Sequence, residues 1–122
     1  STSLAGISVI GEGIRCVRIS RDANQLCGLG ISNIAGIVSL ARPGILRLIR
    51  NDHRTAQVTT NEGISVAADW LGRNARQIEV LTLDNEWKDV THECQGNTIP
   101  PEVVRHWSQN QEHILIQFRL TC

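Results

Sequence analysis

The sequence predicts a mainly β protein: a single antiparallel β-sandwich or barrel with one or two short helical turns, stapled by disulfides. The first observation is length, because 122 residues can form one hydrophobic core and are too few for two. The second is roughly eight short β segments separated by turn residues, without long helices between them. The third is four cysteines, an even number with no CxxC spacing. We therefore interpret residues 1–122 as one disulfide-stabilised β-rich domain.

The first third of the chain predicts strands that contain irregularities. Ile7-Ser8-Val9 alternates apolar and polar residues, residues 11–13 form a Gly-Glu-Gly turn signal, and a β-branched run follows over 14–20. The stretch 27–41 is rich in glycine and β-branched residues. Because glycine weakens the interior of a strand and often marks a bulge, this stretch predicts one bulged strand or two short ones.

The middle of the chain contains a Pro-Gly signal. Arg42-Pro43-Gly44 predicts a hairpin turn between residues 36–41 and 45–51. A helix that begins at Pro43 is the alternative, because the apolar residues after it also match helical spacing. Residues 55–60 predict a short strand. Residues 65–72 predict one or two helical turns, since a serine can cap the start and a glycine can end them.

The last third predicts a pair of strands over 76–84 and 85–94, a short helix with Pro101 near its first position, and a final strand. The final strand, HILIQFRLTC, has the most regular pattern in the sequence. Its period of two places five side chains on one face, which we predict to be the core face. These side chains belong to Ile114, Ile116, Phe118, Leu120 and Cys122.

The cysteines Cys16, Cys27, Cys94 and Cys122 predict two disulfides. Free buried thiols and a metal site are the alternatives, and the wide spacing argues against zinc. Three pairings are open, and we favour the nested one, 16–122 with 27–94, because it would anchor strands near both chain ends. Disulfides persist in oxidising compartments, so this prediction implies a secreted, extracellular protein.

Charge and motif content exclude several classes of function. Twelve basic residues balance twelve acidic ones, so a long-range attraction for nucleic acid or for an anionic membrane is not expected. The apolar stretch Leu26–Ala41 is too short and too interrupted for a membrane span. Because phosphate-loop, dinucleotide, zinc-protease and serine-hydrolase motifs do not occur, we predict no cofactor and no metal.

Two groups of residues are candidate ligand contacts. Trp87 lies in the turn-rich segment DNEWKD, where a buried indole is not expected, and an exposed tryptophan suits a sugar ring or a protein contact. Arg47, Arg50 and Arg54 lie within RLIRNDHR and could form a basic patch, although a solvated, ion-paired face is the simpler interpretation. The other two tryptophans, at 70 and 107, are assigned to the core.

Acid–base chemistry has candidates but no supporting spacing. A histidine pair or a Glu–His pair beside an arginine could cleave RNA, but adjacent Glu and His on a strand would point to opposite faces. The candidates are scattered along the chain: His53, His92, Glu93, His106, Glu112 and His113.

The leading functional hypothesis is a secreted interaction module, similar in class to toxins, effectors or inhibitors, that binds a protein or glycan through loops on a rigid β scaffold. A small secreted ribonuclease with His and Glu chemistry is one alternative. A self-assembling coat component, suggested by the uncharged stretch Leu26–Ala41 as an edge strand, is the other. The oligomeric state does not follow from the sequence.

Overall fold

The computed structural model describes residues 1–52 and 54–122, so the candidate His53 lies outside the described residues. The described chain is mainly β, as predicted. Two α-helices, α1 (Ala68–Leu71) and α2 (Pro101–Trp107), and a 3₁₀ turn at Thr91–Glu93 accompany the strands. The strands are β1 (Thr2–Leu4), β2 (Ile7–Ile19), β3 (Gln25–Ile34), β4 (Val38–Arg50), β5 (Thr55–Thr60), β6 (Ile64–Val66), β7 (Gln77–Leu81), β8 (Trp87–Asp89), β9 (Thr98–Ile99) and β10 (Ile116–Thr121).

All ten strands belong to one antiparallel sheet. Its main path runs β1-β2-β3-β4-β5-β10-β7-β8, while β6 pairs with β4 and with β9. The two ends of this path, β1 and β8, do not pair with each other within the described residues, so the sheet is not closed into the predicted barrel. The antiparallel prediction is confirmed. β3 is paired on both sides, by β2 and β4, so the uncharged stretch over 26–41 does not provide the edge strand expected for a coat component.

The core follows from regular alternation in β5, β10 and β7. In each of these strands, buried residues alternate with half-buried ones, as the period-two pattern predicts. Phe118, at the centre of β10, is fully buried between Val58 of β5 and Val80 of β7. The prediction for the final strand is therefore confirmed for Ile116, Phe118, Leu120 and Cys122, all of which are buried.

The pairing of β2 with β3 is irregular. Its register shifts three times between residues 10 and 18 of β2. Gly11 and Gly30 make this possible, because a Cβ on Gly11 would lie 1.8 Å from the Gly30 carbonyl oxygen. Ile10 of β2 and Leu29 of β3 are exposed, at 48% and 38%. We call the part of the sheet formed by β2 and the facing residues of β3 the arm.

The predicted hairpin at Arg42-Pro43-Gly44 is wrong, because β4 runs through these residues without reversing. The true turn lies earlier, between β3 and β4, where the Ile37 N–H donates to the Ile34 carbonyl. β4 instead changes neighbours at the Pro-Gly pair: residues 38–40 pair with β6 and residues 46–50 pair with β5. Gly44 permits this fork, because a Cβ there would lie 2.6 Å from the Glu62 side chain.

The predicted helical segments are confirmed in outline. α1 ends at Gly72, whose left-handed backbone (φ 87°) is typical of a glycine C-cap. Its N-cap is Ala67, whereas the predicted cap Ser65 lies in β6. α2 has Pro101 at its start, as expected. Within the described residues, neither these helices nor any other is long and apolar enough to cross a membrane.

The predicted disulfide staple is not formed, since all four cysteines, which lie within the described residues, are free thiols. The strand order explains why the nested pairing fails. Cys16 on β2 and Cys122 after β10 lie on strands four positions apart, and the same separation divides β3, which carries Cys27, from β7, against which the Cys94 turn lies. Cys16 is also exposed, whereas Cys122 is buried. The end of β10 is held instead by a backbone hydrogen bond from the Cys122 N–H to the Arg54 carbonyl, 2.7 Å long.

Candidate binding sites

Trp87 lies on the edge strand β8 rather than in a loop. It pairs with Leu81 of β7 and is half-buried. Trp70 is buried in the core, as predicted, and Trp107 packs against the core while remaining half-buried. Of the three tryptophans, Trp87 lies on a strand at the end of the sheet path, whereas Trp70 and Trp107 lie on α1 and α2.

Arg119 of β10 fixes one side of the Trp87 ring. Its guanidinium carbon lies 4.1 Å from the ring centroid, within the range of a cation–π contact. The guanidinium is itself held by Glu79 of β7, because Nε and Nη2 of Arg119 each lie 3.0 Å from Glu79 Oε1. The three side chains thus form a chain of contacts across β8, β7 and β10 that presents the indole in a fixed orientation.

Arg119 and Glu79 were not among the contact residues predicted from the sequence. Parity along the final strand does place Arg119 on its solvent side, opposite to Phe118. Strand parity does not predict which residues contact Arg119, because those contacts depend on the position of β10 between β5 and β7. That order joins residues 40 positions apart in the sequence.

A polar surface continues from this cluster across the sheet. The registers place one unbroken row over five strands: Ile49, Gln57, Arg119, Glu79 and Asp89. A second row contains Arg47, Thr59 and Gln117, and a third contains Thr55, Thr121 and Gln77. We call these three rows, together with Trp87, the outer face.

Apart from the central Arg119–Glu79 contact, the side-chain hydrogen bonds described within the outer face are long or peripheral. The Gln117 amide donates to Gln57 Oε1 over 3.3 Å, and the Gln77 amide donates to Asp89 Oδ2 over 3.4 Å. Asp89 also accepts bonds from the Thr91 side chain and backbone, and these hold the pKa of the Asp89 carboxyl below its usual value. Asp89 is therefore ionised at neutral pH, at the border of the outer face.

The three predicted arginines do not form one patch. Arg47 is exposed and belongs to the outer face. Arg50 is used internally: its guanidinium donates to Asn24 Oδ1 and to the Trp70 carbonyl, and it lies 5.2 Å from the Trp70 ring centroid. Arg54 is an exposed residue of the β4–β5 connection, where its backbone N–H donates to Asp52. Only Arg47 shares a surface with Trp87.

A second candidate site is a cleft of about 520 Å³ at the fork of β4. The turn between β5 and β6 forms one wall, and the end of α2 with the following turn forms the other. Gly63 permits the close approach of these walls, because a Cβ there would lie 2.7 Å from Pro101. The ionisable residues of the cleft are Glu12, Arg42, Glu62, Arg105, Glu112 and His113.

The cleft brings together one of the predicted acid–base pairs. Glu112 and His113 lie in a turn, not on a strand, so the expectation that they point to opposite faces is wrong. His113 Nε2 lies 4.0 Å from Glu112 Oε2, and both side chains are more than four-fifths exposed. Arg42 lies 3.5 Å from Glu62, whose side chain is only 16% exposed.

Within the described residues, the other acid–base candidates lie apart from this pair. His92 and Glu93 are exposed on the 3₁₀ turn, and the His106 ring packs edge-on against Trp107 at a centroid distance of 5.0 Å. Burial, reinforced by the nearby Glu93 and Asp89, raises the pKa of the Cys94 thiol to about 11. Cys94 is consequently protonated at neutral pH and is a poor nucleophile there.

Comparisons of the chain with protein-family models, with curated proteins and with solved structures gave no match.

Proposed function

We propose that the protein is a small binding module that holds a protein or glycan ligand against its outer face, with Trp87 as the main contact. The observation that supports the proposal is the contact chain Trp87–Arg119–Glu79. Because this chain already orients the indole, binding would cost little side-chain entropy. Tryptophan and arginine are also the residues most often found at the energetic centre of interfaces.

The proposal changes the surface expected from the sequence. The loops were expected to carry the ligand, whereas Trp87 and Arg47 both lie on strands and share the outer face. Arg50 and Arg54 are not part of this site. Secretion stays a prediction. It was based on two expected disulfides, and these are not formed in the structure.

A substitution at Trp87 tests the proposed function. We expect Trp87→Ala to abolish capture of the ligand, in a pull-down from extract and on a glycan array, because it removes the stacking surface. Leu29→Ala is the matched control, since it also truncates an exposed apolar residue but lies in the arm. Thermal melts of both variants check that the fold is intact. Unchanged capture by a folded Trp87→Ala variant would refute the proposal.

A hydrolase is the second candidate, and the cleft is the observation that favours it. Glu112 could accept the proton of an RNA 2′-hydroxyl as its oxygen bonds to phosphorus, and His113 could donate a proton to the 5′-oxygen as its bond to phosphorus breaks, while Arg42 or Arg105 stabilises the negative charge of the phosphate. A fluorescent RNA cleavage assay over roughly pH 5–8, where histidines titrate, tests this candidate. We would expect His113→Ala to remove activity and His92→Ala, an exposed histidine on the 3₁₀ turn, to retain it. A flat, inactive profile for the wild-type protein eliminates the candidate.

A further inference from the structure

The charges of the outer face are compensated at short range. Arg119 and Glu79, the two charges nearest its centre, bond to each other through two contacts of 3.0 Å. The remaining charges, Arg47 and Asp89, have opposite signs and lie on strands at opposite ends of the rows. A charged ligand would therefore have to displace an existing ion pair at the centre and would gain no net attraction.

The rest of the outer face consists largely of groups that donate and accept hydrogen bonds at once. Amides and hydroxyls have this property, as do the hydroxyls of sugars. The two hydrogen bonds that side-chain amides donate on this surface are long, at 3.3 and 3.4 Å, so a ligand can replace them at little cost in free energy. The half-buried amide and hydroxyl side chains are those of Thr55, Gln57, Thr59, Gln77, Gln117 and Thr121.

The dimensions suit an extended chain better than a single sugar. Neighbouring strands lie about 4.8 Å apart, so the row from Asp89 to Ile49 spans four spacings, or about 19 Å. With one ring over each strand spacing, about four rings lie along this span. Trp87 lies at the β8 end of this span, where its indole can stack on one ring.

A protein ligand is a poorer match. Stable protein interfaces contain an apolar centre surrounded by a polar rim. The outer face has the reverse arrangement, because its centre is the Arg119–Glu79 pair with flanking amides. Its apolar residues Trp87 and Ile49, and Leu81 paired with Trp87, lie toward its two sides.

We infer that the ligand of the outer face is a neutral, unbranched oligosaccharide that lies across the strands from β8 toward β4, with one ring stacked on Trp87. This inference rests on the proposed binding function and narrows it to one class of ligand. Gln57 and Gln117, which lie on β5 and β10, would hydrogen-bond the rings that follow the stacked one.

The test uses the purified full chain with defined probes. These are linear homo-oligosaccharides of glucose, mannose and N-acetylglucosamine with two to six rings, and oligogalacturonates of the same lengths as charged counterparts. Calorimetry should show binding of a neutral series that strengthens up to about four rings and then levels off, as the strand spacing requires. Binding should be insensitive to salt, because exposed charges contribute little to it.

Variants separate the stacking contact from the hydrogen bonds. Trp87→Ala should weaken binding at least about tenfold, and Trp87→Phe, which retains an aromatic face, should weaken it less. Gln117→Ala should weaken binding to four rings but not to two rings, since β10 is two strands from β8 and one ring per strand spacing places the third ring over β10. Leu29→Ala should leave all affinities unchanged.

The outcomes distinguish the inference from the function on which it rests. Preference for oligogalacturonate, or affinity that falls steeply with salt, would overturn the neutral-ligand inference while leaving a glycan-binding module. Failure to bind every oligosaccharide, together with a protein partner that Trp87→Ala releases, would overturn the inference and retain the binding function. Failure in both assays would overturn both.

Discussion

The sheet has two regions of different character, the regular strands β5, β10 and β7 and the irregular arm. In the regular strands, burial alternates without interruption and each pair keeps one register. In the arm, the register shifts three times and most β2 side chains are half-buried or exposed. Register in the first region is specified by burial of one face. In the arm it depends on backbone pairing around glycines. The bulges also make the outer edge of β2 over residues 10–19, which lies beyond the described pairing with β1, a poor template for further pairing.

The largest expected effect comes from emptying the core of the regular region. Phe118→Ala should lower the free energy of unfolding by about 3–5 kcal/mol, because it removes a fully buried ring at the centre of β10. Leu29→Ala in the arm should lower it by no more than about 1 kcal/mol. Urea denaturation followed by tryptophan fluorescence measures both. Equal losses would show that the two regions do not differ as the burial suggests.

The next effect tests the glycine dependence of the arm. Gly11→Ala should cost about 2 kcal/mol or more, because its Cβ would lie 1.8 Å from the Gly30 carbonyl oxygen and would force the strands apart. Gly13→Ala is the control, since Gly13 has a left-handed backbone (φ 61°) but open space around its Cβ position. It should cost about 1 kcal/mol from backbone strain alone. A reversed order in denaturation would contradict the close-approach explanation.

The two regions also differ in how far the sequence predicted them. The prediction of which β10 residues face the core was correct for each residue, because a period of two determines which side chains share the buried face. The path of β4 was not, because Pro43 and Gly44 are also typical of a turn, and only the fork between β5 and β6 explains their presence within a strand.

The candidate site was predicted only in part, for a related reason. Trp87 was selected by its polar surroundings, which are local information. Its partners Arg119 and Glu79 come from strands distant in sequence, and their contacts follow from strand order, which periodicity does not encode. The prediction of the cysteine pairing was wrong for the same reason. The even number of cysteines and their spacing in the sequence do not indicate which strands are adjacent in the sheet.

A smaller effect is expected from the ion pair on the regular region. A double-mutant cycle with Glu79→Ala and Arg119→Ala should give an interaction energy of about 0.5 kcal/mol, typical of partly exposed pairs. The pair Arg42–Glu62 at the cleft is the comparison, because its 3.5 Å separation and the exposed Arg42 side chain predict a smaller value. Denaturation at low and high salt would show whether the energy is electrostatic, since screening should reduce it.

The reactivity of the cysteine thiols compares solvent exposure in the two regions without any substitution. Cys16 in the arm is exposed and should react with iodoacetamide in the folded protein, whereas Cys122 after β10 is 5% exposed and should react only through opening of the fold. We expect rates that differ at least about tenfold, measured by peptide mass mapping. A mass gain of about four daltons on reduction, with no alkylation before it, would instead establish two disulfides and contradict the free thiols.

The last expected effect appears only at alkaline pH and comes from Cys94, on the turn that follows β8. Its pKa is raised to about 11 in the folded protein from an ordinary value of 9.0, with burial as the main cause. Below pH 9.0 the thiol is protonated in both the folded and unfolded chains, so it does not make stability depend on pH. Between 9.0 and about 11 the unfolded chain loses the proton first, so stability should fall as pH rises.

Cys94→Ala isolates this contribution, because it removes the titrating group and leaves the other ionisable residues in place. The difference in unfolding free energy between the two proteins should be constant below pH 9.0 and should shift against the wild type above it. A difference that stays constant up to pH 11 would mean that Cys94 is solvated as well in the folded chain as in the unfolded one. The turn after β8 would then pack more loosely than its half-buried thiol indicates, and the support for the β8 end of the outer face would be weaker with it.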